Sequence, residues 1–297
     1  MKTKLLSFLL LLLCSPASAF VMDGINYNVT SEENLEAEVG SNSGFSGEAV
    51  IRSEVEYNGK KYSVASIRNQ AFSGCSGLTS VTIPNSVTSI GVAAFVSCYG
   101  LKSVHISDVA AWCSISFSNY YSNPLSYAAH LYLGEGEIKD LVIPNSATTI
   151  GESAFYGCSG LTSVTIPNSV TSIGGYAFRE CSGLTSVTIP NSVTSIGRTA
   201  LHGTGWYNNQ PDGILYLDNW LIGYKGEKPT GNVVIAEGTR GLAGSAFSVC
   251  NGLTSVTIPN SVTNVGEYAF YDCSSLTSLT IPNSVTSIGE AAFWNCI

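Results

Sequence analysis

One block of 23 residues returns through most of this 297-residue chain, and it constrains the fold more than any other feature. A copy begins at Leu78 and runs Leu78-Thr79-Ser80-Val81-Thr82-Ile83-Pro84-Asn85-Ser86-Val87-Thr88-Ser89-Ile90-Gly91. It closes with Ala94, Phe95 and Cys98. Near-identical copies restart at Leu161, Leu184, Leu253 and Leu276. The Ala-Phe pair returns at Ala71, Ala94, Ala154, Ala177, Ala246, Ala269 and Ala292. A fixed period of this length is the mark of a solenoid, in which each unit is one coil stacked on the next.

Elementary chemistry assigns the sides of a coil. Leu78, Val81 and Ile83 have the L-x-x-L-x-L spacing of a leucine-rich-repeat strand, with Thr82 turned to the polar face. Pro84 lacks an N–H and ends the ladder. Val87 and Ile90 turn inward along a second side. Gly91 is expected at a tight corner with positive φ. Ala94 and Phe95 fill the core from a short helical or 3₁₀ turn, and Cys98 closes the coil. One coil alone leaves its apolar side open, so stacking is obligatory and the strands are expected to merge into one parallel sheet.

Two stretches break the period. Insertions are expected at about residues 107–138, carrying Trp112, Phe117, Tyr120, Tyr121, Tyr127 and Tyr132, and at about 202–232. In the second, Leu215–Leu217 and Trp220–Ile222 flank a hairpin turn at Asp218-Asn219. Residues 20–62 lack the unit and read as an N-terminal β cap with a hairpin turn at Asn58-Gly59, leaving 63–297 as the solenoid. The chain stops at Cys296-Ile297, where another unit is due. The expected state is therefore a monomer, or end-to-end association through an uncapped last coil.

The unit Gly-x-x-Ala-Phe-x-x-Cys-x-x-Leu-x-x-Val-x-Ile-Pro-x-x-Val-x-x-Ile resembles the BspA-type leucine-rich repeat, over about residues 45 to 297. The segments Ala111-Trp112-Cys113 and Asn123-Pro124-Leu125 resemble a variant coil of that family. The resemblance implies a bacterial surface or secreted protein acting as an adhesin toward host matrix proteins, epithelial cells or other bacteria. The commoner leucine-rich repeat places Asn where this chain has Ser86 and Val87, so its asparagine ladder is not expected here.

Composition excludes several classes. Charged residues are 11 % of the chain against 44 % apolar, and the net charge is −8. An acidic, sparsely charged chain has no electrostatic footprint for nucleic acid. Ser, Thr, Asn and Gly must cover the surface instead. The N-terminus reads as a signal peptide, residues 1–19: Lys2 and Lys4, the apolar run Leu5–Leu13, and the small-x-small site Ala17-Ser18-Ala19. Leu13 is a poor neighbour for lipid modification of Cys14. No run is long enough for a transmembrane helix. A secreted or cell-surface location is the expectation.

No catalytic motif is present: no G-x-S-x-G, no H-E-x-x-H, no phosphate-binding loop. Only His105, His130 and His202 are available as bases, so no catalytic residue and no cofactor is expected. Seven cysteines, Cys75, Cys98, Cys158, Cys181, Cys250, Cys273 and Cys296, share one repeat position beside core residues. They read as buried thiols rather than disulfides, and with no C-x-x-C no zinc site is expected. The sequon Asn28-Val29-Thr30 matters only in a eukaryotic secretory pathway.

Binding is expected on two surfaces. The outward strand positions form a sheet face: Ser80, Thr82, Ser103, His105, Asp140, Val142, Ser163, Thr165, Ser186, Thr188, Asn232, Val234, Ser255, Thr257, Ser278 and Thr280. The breaks in the repeat add aromatic candidates, Trp112, Tyr120, Tyr121, Trp206 and Trp220, residue types favoured at interface hot spots. The expected partner is an extracellular or cell-surface protein, for example one of a host matrix. The alternatives are a glycan-binding module and a structural spacer.

Overall fold

The computed structural model describes residues 18–296. Of the expected leader, Ser18 and Ala19 fall within this range. Lys2, Lys4, the Leu5–Leu13 run, Cys14 and Ala17 lie outside the described residues. The chain forms a β-solenoid of about eleven turns at the 23-residue spacing, with mostly parallel strands and few helices. No described helix is long and apolar enough to cross a membrane.

The coil at Leu78 shows how the unit folds. Strand Gly77–Ile83 buries Leu78, Val81 and Ile83 and stops one residue short of Pro84. The Val87 N–H closes the corner on the Pro84 carbonyl. The two-residue strand Ser89–Ile90 makes the second side, and the turn through Ala94-Phe95 makes the third. Val87, Ile90, Ala94, Phe95 and Cys98 are all buried. Coils stack in register, so like meets like: Val81 pairs with Val104 and Val164 with Val187. On the third side Phe155 and Phe178 stack at 5.3 Å and 6°. A backbone ladder runs there too, from the Phe178 N–H to the Ala200 carbonyl at 2.9 Å.

Gly91 is required for a different reason from the one expected. Its φ is not positive. A Cβ at Gly91 would lie 2.5 Å from the Asn69 backbone nitrogen of the preceding coil. The column is glycine because backbones meet there. Positive φ falls instead on the residue before each Ala-Phe pair, as at Ser153 (60°), Tyr176 (58°) and Tyr268 (53°), and on the residue before each of the seven repeat-position cysteines. Holding a non-glycine residue in this region is uncommon. The reward is visible at Tyr176, whose N–H then points along the stack to the Arg198 carbonyl at 2.9 Å.

The strands do not merge into one sheet. Among the described residues the first side carries three sheets, of five, three and three strands, and the second side three more, of seven, three and five. The breaks fall at the two irregular stretches. These stretches build coils of their own. In the first, helix Val109–Ser114 is capped by the Asp108 side chain, which accepts from the Ala111 N–H. Strand Ser116–Phe117 then pairs with Ser89–Ile90, and Leu131–Leu133 with Ser103–Ile106. In the second, the hairpin Gly213–Leu217 and Trp220–Lys225 extends the second side by pairing with Gly241–Leu242. Buried side chains accordingly form two clusters that meet at this hairpin, with Trp220 in one and Leu221 in the other.

Stacking begins earlier than the repeat motif. Ser46–Val50 already pairs in parallel with Gly77–Ile83, and Glu36–Val39 with Lys60–Ile67. Ahead of them Ala19–Met22, Ile25–Ser31 and Glu36–Val39 form an antiparallel meander. Asn58 and Gly59 take φ of 51° and 74°, as a tight hairpin turn requires. At the other end of the stack Ile281 and Ile288 lie open.

Candidate binding surface

The sheet face is built as its spacing predicts, and some of its polar side chains bond one another. Thr82 faces His105, Ser163 faces Ser186, and Thr257 faces Thr280 across the ladders. Asp140 accepts from the Ser163 and Thr162 hydroxyls, and these bonds hold its carboxyl below the usual range. The Asn232 side chain accepts from the Ser255 hydroxyl at 2.7 Å. Ser80, Ser103, Thr165, Thr188 and Ser278 stand at the remaining polar positions. Val142 and Val234 are about two-thirds exposed, at 63 % and 65 %. His105 does not project freely. Its ring stacks on Tyr132 at 4.7 Å, and its nitrogens lie 3.1 Å from the Ser103 hydroxyl and 3.2 Å from the Gly134 carbonyl. Glu48 and Val50, opposite Ser80 and Thr82, belong to this face as well. The motif reading missed them because their strand lacks Thr-Ile-Pro.

The tryptophans of the irregular stretches are structural. Trp112 is buried, and its indole N–H donates to the Ala154 carbonyl at 2.8 Å. Buried Asn123 donates to the same carbonyl and to that of Ser153. In coils stacked directly on an Ala-Phe turn, that turn's Phe N–H satisfies this carbonyl, as at Ala94 and Ala177. The coil beneath Ala154 has no such turn, so Trp112 and Asn123 close the ladder in its place. Trp220 is fully buried and packs on Gly241, where a Cβ would come within 2.5 Å of the ring. Trp206 is half-buried against the core.

Tyr120 and Tyr121 do reach the surface, and they open a larger feature. Apart from the buried Ser153, the residues flanking the Ala-Phe pairs reach the surface of the third side. There Tyr120 touches Tyr121 at 4.0 Å and Tyr156 at 5.1 Å between ring centroids. Tyr120 also approaches Tyr176 at 6.5 Å. The Arg179 and Arg198 guanidiniums lie over the Tyr176 ring, at 5.7 and 4.8 Å. Arg198 also lies 5.9 Å from the ring of Tyr268, which meets Tyr271 at 5.6 Å. Arg198 can span this distance because the intervening coil presents only Gly244 and Ser245. Its guanidinium is tied to Glu152 at 3.1 Å and its backbone N–H to Glu267 at 3.0 Å. The result is one connected stripe of tyrosine and arginine. A reading of the variable positions around Ala-Phe, column by column, would have found it. Attention to the strand columns did not.

The thiols and imidazoles offer little chemistry. The eight cysteines from Cys75 to Cys296 are unpaired, and all but Cys296 are buried. The thiols of Cys98, Cys181 and Cys273 each donate to a Phe carbonyl one coil back, at 3.0–3.1 Å. Burial pushes Cys98, Cys113, Cys158 and Cys273 up to about 12. At pH 8 such a group is thiolate in only about one molecule in ten thousand, and the thiolate is the reactive form. Of these eight, a thiol reagent applied to the native protein at pH 8 is therefore expected to modify Cys296 alone within minutes. The other seven should react only after unfolding in guanidinium; rapid labelling of Cys181 in the folded protein would contradict this. His130 contacts Glu137 at 2.7 Å and His202 lies 3.8 Å from Glu180. Neither imidazole hydrogen-bonds a hydroxyl nucleophile among the described residues, and His105 has a backbone carbonyl where a triad needs a carboxylate.

The repeat described as BspA type Leucine rich repeat region matches this chain in six copies, over residues 54–125, 126–208 and 224–297. Among solved structures the chain is similar to a leucine rich cell surface protein from Faecalibacterium prausnitzii A2-165. Identity there is 26 %, over 95 % of this chain and 81 % of that one, with a TM-score of 0.46. It is also similar to a leucine-rich repeat protein from Bacteroides ovatus ATCC 8483, at 23 % identity, 94 % and 92 % coverage and a TM-score of 0.33. The pneumococcal vaccine antigen PcpA is similar at 21 % identity, 94 % and 74 % coverage and a TM-score of 0.40. No curated protein matches.

Proposed function

Since the chain belongs to the BspA-type leucine-rich-repeat family, we propose that it is a non-enzymatic protein-binding module, exported and displayed at the bacterial surface or released from it. Its role is adhesion, toward host matrix proteins, host cells or other bacteria. One observation carries this reading: the connected stripe from Tyr120 to Tyr271, with two arginines stacked on its rings. Tyr and Arg are enriched at interface hot spots. Ion pairing and ring stacking already hold these side chains, so little rotamer entropy remains to be lost on binding.

The repeat itself supplies mild substitutions for the test. Ser153 stands where Tyr176 stands, and Ser248 where Tyr156 stands. The variant Y156S/Y176S/R198E is expected to fold and to lose about 100-fold in affinity for its surface partner, two hot spots at about 1.4 kcal/mol per factor of ten. Binding to immobilised matrix proteins and to epithelial cells is the measurement. Unchanged affinity in this variant, with loss in H105A/D140A, would move the site to the sheet face. That second reading rests on the exposed Val142 and Val234 and on the stacked His105–Tyr132 pair.

A further inference from the structure

The third side lacks an Ala-Phe turn in two places; Trp112 and Asn123 fill the first, and the second stays open. Between the turns at Ala200-Leu201 and Ala246-Phe247 the hairpin supplies a coil with no Ala-Phe pair. Gly223, at φ 154°, stands in the gap and brings no side chain. What remains is a cleft of about 460 Å³, within the usual range of about 300–1,000 Å³ for small-molecule sites. Thr199, His202, Tyr207, Tyr224, Ser245 and Ser248 line it.

The walls are pre-arranged. The Tyr207 hydroxyl donates to the Tyr224 carbonyl at 2.9 Å. In neighbouring coils the carbonyl one coil back from a Cys accepts the thiol, as Phe247 does from Cys273. At Tyr224 the Tyr207 phenol has taken that place, and Cys250 instead meets the Tyr224 hydroxyl, with a 3.9 Å contact to the Ser248 carbonyl. This bond sets the Tyr207 ring against His202, with centroids 4.7 Å apart. The flanking cation is occupied elsewhere: the Lys225 ammonium is held by the Asn208 and Gln210 carbonyls. Burial first, and Arg179 second, push the His202 imidazole below its ordinary range against the opposing pull of Glu180, which favours the neutral form.

The lining therefore combines aromatic faces, three aliphatic hydroxyls and no charged side chain. The charges just behind the wall are paired with each other, Arg179 with Glu180 at 3.5 Å, so a charged ligand would compete with an existing partner. A purely apolar anchor would cover the Ser245 and Ser248 hydroxyls without giving them partners, which disfavours it. A neutral polyhydroxylated ring, apolar on one face and rich in donors and acceptors at its edge, satisfies both. We propose that this cleft is a binding site for a neutral saccharide, with Tyr207 and His202 as the ring platform and Thr199, Ser245 and Ser248 reaching its hydroxyls. The site is separate from the tyrosine–arginine stripe and stands or falls without it.

The probes are glucose, galactose, N-acetylglucosamine and their β-1,4-linked dimers, titrated into the full chain and followed by backbone amide shifts. At least one sugar is expected to give saturable shifts at Thr199, Ser245 and Ser248, with a dissociation constant of about a millimolar or tighter. Ser248→Tyr should fill the cleft. Tyr156 and Tyr271 occupy the same repeat position, so the fold should tolerate it. Binding should fall at least tenfold in this variant while Y156S/Y176S/R198E keeps it. Should S248Y fail to fold, Ser248→Arg makes the same test, since Arg179 fills this repeat position in its own coil. No saturable shift with any of the six sugars would overturn the proposal, as would full binding in S248Y.

Discussion

Phe178→Ala is expected to destabilise the protein by about 3–5 kcal/mol, the range for truncating a fully buried aromatic ring. Phe178 has no exposed surface and sits in a central coil, stacked on Phe155, with Leu201 at the same position of the next coil and its N–H on the Ala200 carbonyl. In a solenoid each coil is held chiefly by its two neighbours, so a cavity in a central coil weakens two interfaces at once. Phe293→Ala is the comparison. Phe293 is half-buried at the end of the column and stacks on Phe270. It should cost well under half as much. Urea unfolding followed by circular dichroism measures both. Equal shifts in the midpoint for the two variants would show that the phenylalanine column is not what couples the coils.

Gly197→Ala should cost about 3 kcal/mol, at the upper end of ordinary overpacking. Its added Cβ would lie 2.3 Å from the Gly175 nitrogen and 2.7 Å from the Gly174 carbonyl carbon. Those atoms are backbone and cannot rotate away. Relief requires the coils to separate, which opens the 2.8 Å bond from the Gly197 N–H to the Ile173 carbonyl. Gly74→Ala is the matched control. Gly74 has a φ of 73° and nothing within 4 Å of an added Cβ. Its repeat position is filled by Ser97, Glu180, Val249, Asp272 and Asn295 in other coils, all at positive φ. That substitution should cost only about 1 kcal/mol. If the two alanines melt together, close approach of backbones is not what keeps the Gly197 column glycine.

These two glycines show where the motif was ambiguous. Both are small residues at corners, and the repeat alone suggests one reason for them, backbone conformation. Stacking supplies the second reason, and the distinction depends on which atoms of the adjacent coil lie nearby. Trp112 repeats the lesson. From the sequence it is an aromatic residue in a break of the repeat, hence a candidate for a partner. In the fold its indole completes a ladder that the missing Ala-Phe turn left open. Asn123 has the same task, and no one-dimensional pattern connects either residue to Ala154.

The Tyr-Leu strand Leu131–Leu133 is a related case. It pairs with Ser103–Ile106 and sets Tyr132 against His105. A residue expected to face outward from the sheet thereby becomes half of a stacked pair. The cysteine column was legible from its repeat position beside core residues, and the thiols are indeed buried. That they donate to phenylalanine carbonyls was not legible, because donor and acceptor lie 26 residues apart, just over one period.

The 23-residue unit by itself determined the solenoid, the inward and outward positions of each strand, the end of the strand at Pro84 and the uncharged surface. Local alternation and a fixed period decide these, and both survive in one dimension. The tertiary structure decided what the unit cannot encode. It divided the strands into separate sheets, turned two tryptophans into core, and aligned Tyr120, Tyr156, Tyr176, Arg198 and Tyr268 into one stripe. It also opened a cleft where a hairpin replaced an Ala-Phe turn. The physical reason is the stack itself, which brings residues one or more whole periods apart into contact and leaves gaps wherever a coil departs from the period.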